Sequence, residues 1–356
     1  MNLEEIGYNE RWQRLGQELQ LADFTTGRVV AEHKKRYVVK TPEGDVEAEI
    51  TGNMRFTATS REDFPAVGDW VALSIYDSDS AIIHQVYPRN SLLKRQAVGK
   101  YGEVQVIAAN IDTALIVQSV DRDFNINRTE RYLTLCYDTR INPVIVLTKT
   151  DLVNEQQLSE KIDQIKKRNL NVPVIAISNI TPGGYQTLET VLEKGKTYCM
   201  LGSSGAGKST LMNNLAGKAS MKTGPVSQST HKGQHITSHR ELILINNGAI
   251  LIDNPGMREV GLTDTSQGLA TTFDQICRLA ENCKFSDCTH TSETGCAVLR
   301  ALENEELDKD AYQNFLKMER EKAYFESSLA EKRRKDKDFG KMVKNIKKDL
   351  KKLKKR

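Results

Sequence analysis

The sequence predicts a multidomain chain in three parts: a small N-terminal β-barrel, a central parallel α/β domain and a Cys-rich, mainly helical C-terminal module. Three observations predict it. Short β-like runs separated by turns fill about the first hundred residues, apolar strand-like runs alternate with helical segments from about residue 103, and four of the six cysteines lie between Cys277 and Cys296. The corresponding divisions are 1–100, 101–265 and 266–356.

In the first part, Gly27–Val30, Tyr37–Lys40 and Val46–Ile50 read as strands, the turn Pro42–Asp45 separates two of them, and PAVGDWVAL from Pro65 supplies a turn followed by another strand. Nothing in it carries catalytic chemistry. An OB-type barrel that binds nucleic acid and a purely structural barrel both fit these residues.

The second part reads as a doubly covered sheet. Ala114–Val117, Val144–Leu147, Val174–Ile177, Tyr198–Leu201 and Ile250–Ile252 are buried strands, and Arg128–Cys136 and Glu155–Arg168 are helices. In ELILINNGAILID the NNG turn predicts a hairpin that adds one antiparallel strand. Cys136 and Cys199, each in apolar surroundings, read as small core residues.

At 356 residues and 40.0 kDa the chain can bury large cores without cross-links. No apolar run reaches the roughly 18 residues of a membrane span. The opening MNLEEIGYNERW has no basic region followed by an apolar stretch, so the expected location is the cytoplasm, away from membranes. The net charge of +4 is uneven. Lys332–Arg356 holds fourteen Lys and Arg against three Asp, a net of +11, which leaves −7 for the rest. Val343, Ile346, Leu350 and Leu353 form a narrow apolar stripe on this basic helix. Such a tail suits a polyphosphate surface, and a solvated terminus is the other reading.

The strongest local signal is GSSGAGKS, Gly202–Ser209, which follows a buried strand and opens the helix-like TLMNNLAG. Glycines let the backbone amides curl toward phosphates, Lys208 reaches the β and γ phosphates, and the Ser209 hydroxyl can ligate magnesium. TKTD, Thr148–Asp151, sits at the carboxyl end of another strand. There Asp151 can accept two hydrogen bonds from the guanine ring N–H and exocyclic amine, and Lys149 can pack its stem along the base. DNPG, Asp253–Gly256, places an acid beside the magnesium shell and a glycine N–H near the γ-phosphate. Between it and the phosphate loop, STHKGQHITSHR reads as a mobile switch, with Thr237 as the second hydroxyl ligand of magnesium. TKTD precedes the phosphate loop by about fifty residues, the reverse of ordinary regulatory GTPases. Either the motifs are accidental or the domain is circularly permuted, which close termini permit.

Cys283, Cys288, His290 and Cys296 form C-x4-C-x-H-x5-C, a closed tetrahedral set typical of structural zinc. Cys277 is the spare: it could replace one ligand, but its six-residue separation from Cys283 and its apolar neighbour Ile276 favour burial.

Taken together, the permuted motif order, the GQH-containing switch, DNPG and CKFSDCTHTSETGC resemble the ribosome-small-subunit-dependent GTPase A family (RsgA, or YjeQ) over nearly the whole chain. The resemblance implies an OB barrel, a circularly permuted P-loop GTPase domain and a zinc domain. It also implies GTP hydrolysis to GDP late in small-subunit maturation, stimulated by that subunit and followed by release, with barrel and zinc domain on ribosomal RNA. The GTP-binding set is then Thr148, Lys149, Asp151, Ser178, Asn179, Gly202, Ser203, Ser204, Gly205, Ala206, Gly207, Lys208, Ser209, Thr210 and Gly256. Magnesium falls to Ser209, Thr237 and Asp253, and catalysis to His235 with Thr237. The chain departs from the family's G-x-H-T-T-T at Ile236 and Ser238, has Asn254 in DNPG, and carries Met257 where many GTPases have a water-orienting glutamine. A thioether cannot orient water as an amide does, so slow intrinsic turnover is expected. The cofactors are Mg2+ with GTP and one structural Zn2+, and the partners are the small subunit and its rRNA, with the chain a monomer. The competing classes are a GTP-regulated RNA-binding module with incidental hydrolysis and a P-loop ATPase.

Overall fold

The computed structural model describes residues 2–33, 36–96, 104–168, 171–217, 240–253, 266–323 and 334. An N-terminal helix α1 (Glu10–Glu18) precedes five strands: β1 (Thr25–His33), β2 (Arg36–Lys40), β3 (Asp45–Ile50), β4 (Trp70–Asp77) and β5 (Ser80–Val86). Helix α2 (Gly52–Thr57) bridges β3 and β4. The strands pair in the order β1-β2-β3-β5-β4, and β4 returns to β1, so the barrel closes. Alternation drives this. Val46 and Ala48 of β3 point inward while Asp45, Glu47 and Glu49 point out, and Val29, Val39, Val71, Leu73 and Ile83 complete the interior. Helix α1, whose Asn9 side chain caps its N-terminus, presses Trp12 onto Trp70 and Tyr87 beside the barrel.

A hairpin of β6 (Leu92–Gln96) and β7 (Val104–Ala109) pairs across the junction between the first two expected divisions. The second sheet then runs through β8 (Thr113–Ser119), α3 (Ile126–Asp138), β9 (Asn142–Thr148), α4 (Glu155–Lys167), β10 (Val174–Ala176), α5 (Gln186–Glu189), β11 (Thr197–Leu201), α6 (Lys208–Ala216), β12 (Glu241–Leu244) and β13 (Ile250–Asp253). Its order is β10-β9-β8-β11-β13-β12, parallel except for β12, which forms the expected hairpin with β13. The apolar strands are buried on both faces, one cluster including Leu133 and Ile165 of α3 and α4 and the other Leu188 and Leu211 of α5 and α6. Cys136 and Cys199 are buried in the first cluster. Among the described residues a single antiparallel pair, Ala31 with Glu241, links this sheet to the barrel.

Arg28 makes the firmer link. It is 2% exposed, and its guanidinium donates to the carbonyls of Ile6 and Gly68 (3.2 Å for the latter) and to Thr197 Oγ1 at 2.8 Å, tying the N-terminal segment and the barrel to the start of β11. Burial lowers its pKa to about 10, and the carboxylates of Asp112 and Asp69 work against that loss, so it stays charged at neutral pH.

The C-terminal module contains α7 (Ser266–Thr272), α8 (Asp274–Ala280), α9 (Ala297–Glu303) and a helical segment over 309–323, packed around Leu269, Phe273, Val298, Phe315 and Met318. It sits on α3. Thr134 Oγ1 and Thr272 Oγ1 are hydrogen-bonded at 3.0 Å, Asn314 Nδ2 donates to Glu130 at 2.6 Å, and Arg131 pairs with Glu321. The helices approach so closely that a Cβ on Gly268 would lie 2.1 Å from the Thr134 carbonyl oxygen. The basic tail from Lys332 lies outside the described residues, Arg334 excepted. Among the described residues no helix is long and apolar enough to cross a membrane.

Gly268→Val should therefore force α7 off α3. A loss of about 2 kcal/mol or more is expected in thermal melts, with faster proteolytic release of the C-terminal module. Wild-type melting and protease resistance would refute the close packing.

Candidate functional site

The carboxyl ends of β8, β9, β11 and β13 meet along one edge of the sheet, where open α/β sheets place their ligand crevice. Strand β11 delivers the chain into Gly202–Gly207, and α6 begins at Lys208. The turn places three glycines, Gly202, Gly205 and Gly207, at positive φ. A Cβ on Gly202 (φ 149°) would lie 2.1 Å from the Val117 carbonyl oxygen, and Gly207 (φ 93°) turns the backbone into α6 in the left-handed region. The Lys208 ammonium donates to the carbonyls of Gly202 at 2.8 Å and Ser203 at 2.5 Å, lying across the loop. Ser204 and Gly205 lie in the turn, and Ser209 and Thr210 in the first turn of α6, all partly exposed.

The TKTD segment is attached directly to this loop. Thr148, fully buried at the end of β9, donates from Oγ1 to the Ala206 carbonyl at 2.6 Å. Asn179 Nδ2 donates to the Gly207 carbonyl at 3.1 Å, while its Oδ1 is buried without a hydrogen-bond partner. Ser178, itself buried, donates from Oγ to Asp151 Oδ1 at 2.6 Å and orients an otherwise exposed carboxylate. Lys149 adopts the left-handed conformation (φ 62°), and its ammonium meets Asp121 at 2.9 Å. On the far side, Asp253 ends β13, paired in register with Glu241. Burial, with repulsion from Glu241, raises the Asp253 pKa to about 6, and the positive charge of Lys208 opposes the shift.

In the C-terminal module, one ligand atom from each of Cys283, Cys288, His290 and Cys296 lies within 4.8 Å of every other. Cys283 Sγ and Cys296 Sγ are 3.8 Å apart, and the His290 Nδ1 distances to them are 3.6 and 3.5 Å. Sulfurs in a disulfide would be about 2 Å apart, whereas a tetrahedron with Zn–S near 2.3 Å has edges of about 3.8 Å. The cluster can thus hold a zinc ion. Backbone amides of Ala297 and Leu299 donate to the Cys283 and Cys296 sulfurs at 3.4 Å, and Tyr312 donates to the His290 carbonyl at 2.6 Å, fixing a residue in the left-handed conformation (φ 57°). Cys277 lies outside the cluster and is half-buried rather than buried, because Ile276 takes the core-facing position.

A family model described as RsgA GTPase matches residues 86–263. A protein of Bacteroides thetaiotaomicron named small ribosomal subunit biogenesis GTPase RsgA 1 is 39% identical over 98% of this chain and 97% of its own length. The chain belongs to the RsgA GTPase family. A Listeria monocytogenes relative, small ribosomal subunit biogenesis GTPase RsgA 2, is 42% identical over 91% of this chain and 90% of its own. The structure of YjeQ from Thermotoga maritima superposes with a TM-score of 0.60 at 25% identity, covering 86% of this chain and 98% of that one. YloQ, described as a circularly permuted GTPase, shares the fold at a TM-score of 0.58 and 24% identity, over 83% of this chain and 94% of its own. As an RsgA-family member the chain is a GTPase, and its strand β9 with TKTD precedes β11 with the phosphate loop, the permuted order.

The described members of the expected nucleotide set come from three segments, those after β9, β10 and β11, with Asp253 at the end of β13. His235 and Thr237 of the switch, Gly256 and Met257 lie outside the described residues. Sequence reasoning passed over Asp121, Asp123 and Arg128. Their position directly after β8, at the carboxyl edge of the sheet, was the available signal.

The raised Asp253 pKa has a defined sign. Below about pH 4 the carboxyl is protonated in both folded and unfolded chains. Between about pH 4 and 6 only the unfolded chain ionises, so stability falls as pH rises through that window, by up to about 3 kcal/mol. Asp253→Asn, without nucleotide or magnesium, should thus melt higher than wild type at pH 7 and converge with it near pH 4, as followed by circular dichroism.

Proposed function

We propose that this chain hydrolyses GTP to GDP and phosphate in late maturation of the small ribosomal subunit, is stimulated by the subunit, and leaves after hydrolysis. The observation that carries the nucleotide part is the Thr148 to Ala206 hydrogen bond, which joins the guanine-reading segment to the phosphate loop across the sheet edge. The ribosomal part is supported by near-full-length likeness to proteins named for small-subunit biogenesis.

In this reading Asp151, aligned by Ser178, accepts the guanine N–H groups, and Lys149 with Asn179 borders the base. Backbone amides from Gly202 to Thr210 cradle the phosphates, and Lys208 turns from the loop carbonyls onto the β and γ oxygens. Ser209, Thr237 and Asp253 hold Mg2+, which when bound neutralises charge developing on the phosphate oxygens. Gly256 bonds the γ-phosphate, and His235 accepts a hydrogen bond from the attacking water, in place of the amide that Met257 lacks. Cys283, Cys288, His290 and Cys296 hold one structural Zn2+ with no position open for water. The barrel (1–100) and the zinc-binding module (266–356) flank the GTPase domain (101–265) and contact rRNA, the basic tail adding phosphate contacts, in a cytoplasmic monomer.

Steady-state GTP and ATP hydrolysis with and without purified small subunits tests this directly. GTP-selective turnover that rises strongly with subunits is expected, and Asp151→Asn should lose guanine preference. Hydrolysis of GTP that ignores the subunit would remove the ribosomal assignment. ATP preferred over GTP would remove the guanine one.

For the metal, elemental analysis should return about one zinc per chain. Chelation or Cys288→Ser should lower the melting temperature and loosen the module while GDP still binds. A zinc-free chain of undiminished stability would sink the assignment.

A further inference from the structure

The six-residue loop between β8 and α3, residues 120–125, is used by none of the assignments above, yet it contacts both halves of the nucleotide site. Asp121 Oδ2 accepts the Lys149 ammonium at 2.9 Å, and its Oδ1 accepts Ser119 Oγ at 2.8 Å and the Asp123 amide at 3.0 Å. Asp123 accepts the hydroxyl of Ser203 in the phosphate loop and is paired with Arg128 Nη1 at 2.9 and 3.0 Å. One short loop thus holds the lysine of the base-reading segment and the second residue of the phosphate loop.

We propose that Asp121 is a positioning residue for guanine-nucleotide binding: it anchors the Lys149 ammonium so that the lysine stem is fixed as one wall of the base slot, while Asp123 secures the same loop to the phosphate loop through Ser203. The inference rests on the GTP reading of the site.

The physical case has three parts. A lysine stem has several rotatable bonds, so holding it against a base costs rotamer entropy at each binding event unless the protein has already restricted it. Here the ammonium is anchored at its far end and the backbone at its near end, in the left-handed turn at Lys149. The methylenes between them are left as an apolar surface suited to a planar ring. Second, the anchor is itself rigid. Partial burial alone would raise the Asp121 pKa, but the donors on it from Lys149, the Asp123 amide and Ser119 hold it below the ordinary carboxylate range, so it stays charged at neutral pH. Third, the pair is a poor stability device. At 26% exposure for the Asp121 side chain and 31% for Lys149, it is of the partly screened kind that adds little to folding.

The test uses the full chain as wild type, Asp121→Asn, Asp121→Glu, Lys149→Ala and the double variant Asp121→Asn with Lys149→Ala, with release of fluorescent GDP and ADP followed by stopped flow. Asp121→Asn should release GDP about three- to tenfold faster and raise the KM for GTP by a similar factor, with kcat changed by less than about twofold. Asp121→Glu should recover part of the loss. In the Lys149→Ala background Asp121→Asn should add nothing, because the two side chains act as a unit. The melting temperature without nucleotide should not move. GDP release unchanged in Asp121→Asn, or a loss that adds fully to that of Lys149→Ala, would overturn the proposal while leaving the guanine site standing. A fall in nucleotide-free melting that accounts for the weaker binding would reassign the pair to folding. Wild-type chain that holds ADP as tightly as GDP would remove the guanine reading and this proposal together.

Discussion

The nucleotide site depends on one buried pairing: β8 lies between β9 and β11, bonded in parallel register to both. That arrangement brings the end of β9 beside the phosphate loop, close enough for Thr148 to reach Ala206. Parallel pairing of apolar strands depends on burial and register, not on the order in which the chain visits the strands. A permuted chain can therefore build the same edge as an unpermuted one, provided its crossovers are covered by helices. The two apolar clusters on either face supply that cover.

Permutation has a structural consequence. The strand that carries Asp253 is followed by the C-terminal module, and the module rests on α3, whose N-terminal turn carries Arg128 near the phosphate loop. Glu130 on α3 is buried between Arg168 and Asn314, and burial raises its pKa despite both partners. A carboxylate in that position is tolerated only while its partners remain, since an unpaired buried charge costs several kcal/mol, on the order of 3–5. The module is thus held by polar contacts that require α3, Arg168 and the 309–323 helix to keep their relative places. At the other end, Arg28 imposes the same condition on the barrel and β11. Both flanking units are fastened to elements that lead into the nucleotide site, a geometry in which nucleotide state and outer surfaces can influence one another.

Much of the architecture was legible from local pattern. The β3 segment DVEAEI alternates cleanly and forms a barrel strand, and VIVLT and TYCML are continuous apolar runs that become central parallel strands. The NNG turn formed its hairpin, and C-x4-C-x-H-x5-C closed into a cluster, because both are specified by residues near in sequence. Helix α1 was less visible, since Trp12 is its sole buried residue and most of the others are polar or charged. The β6–β7 hairpin was missed because its strands carry lysine, arginine and glutamine and are separated by more residues than a tight turn.

By itself the sequence determined the chemistry on offer: a phosphate loop, a carboxylate suited to guanine, four thiolate and imidazole ligands, and the order in which they come. Each is set by residue type and short spacing. Only the tertiary structure decided the partnerships over long separations, such as Thr148 with Ala206, Asp121 with Lys149, Ser203 with Asp123, and Gly268 against Thr134. Those contacts arise from which strands pair and how closely two helices can approach. Both are global outcomes of burial that no local pattern encodes.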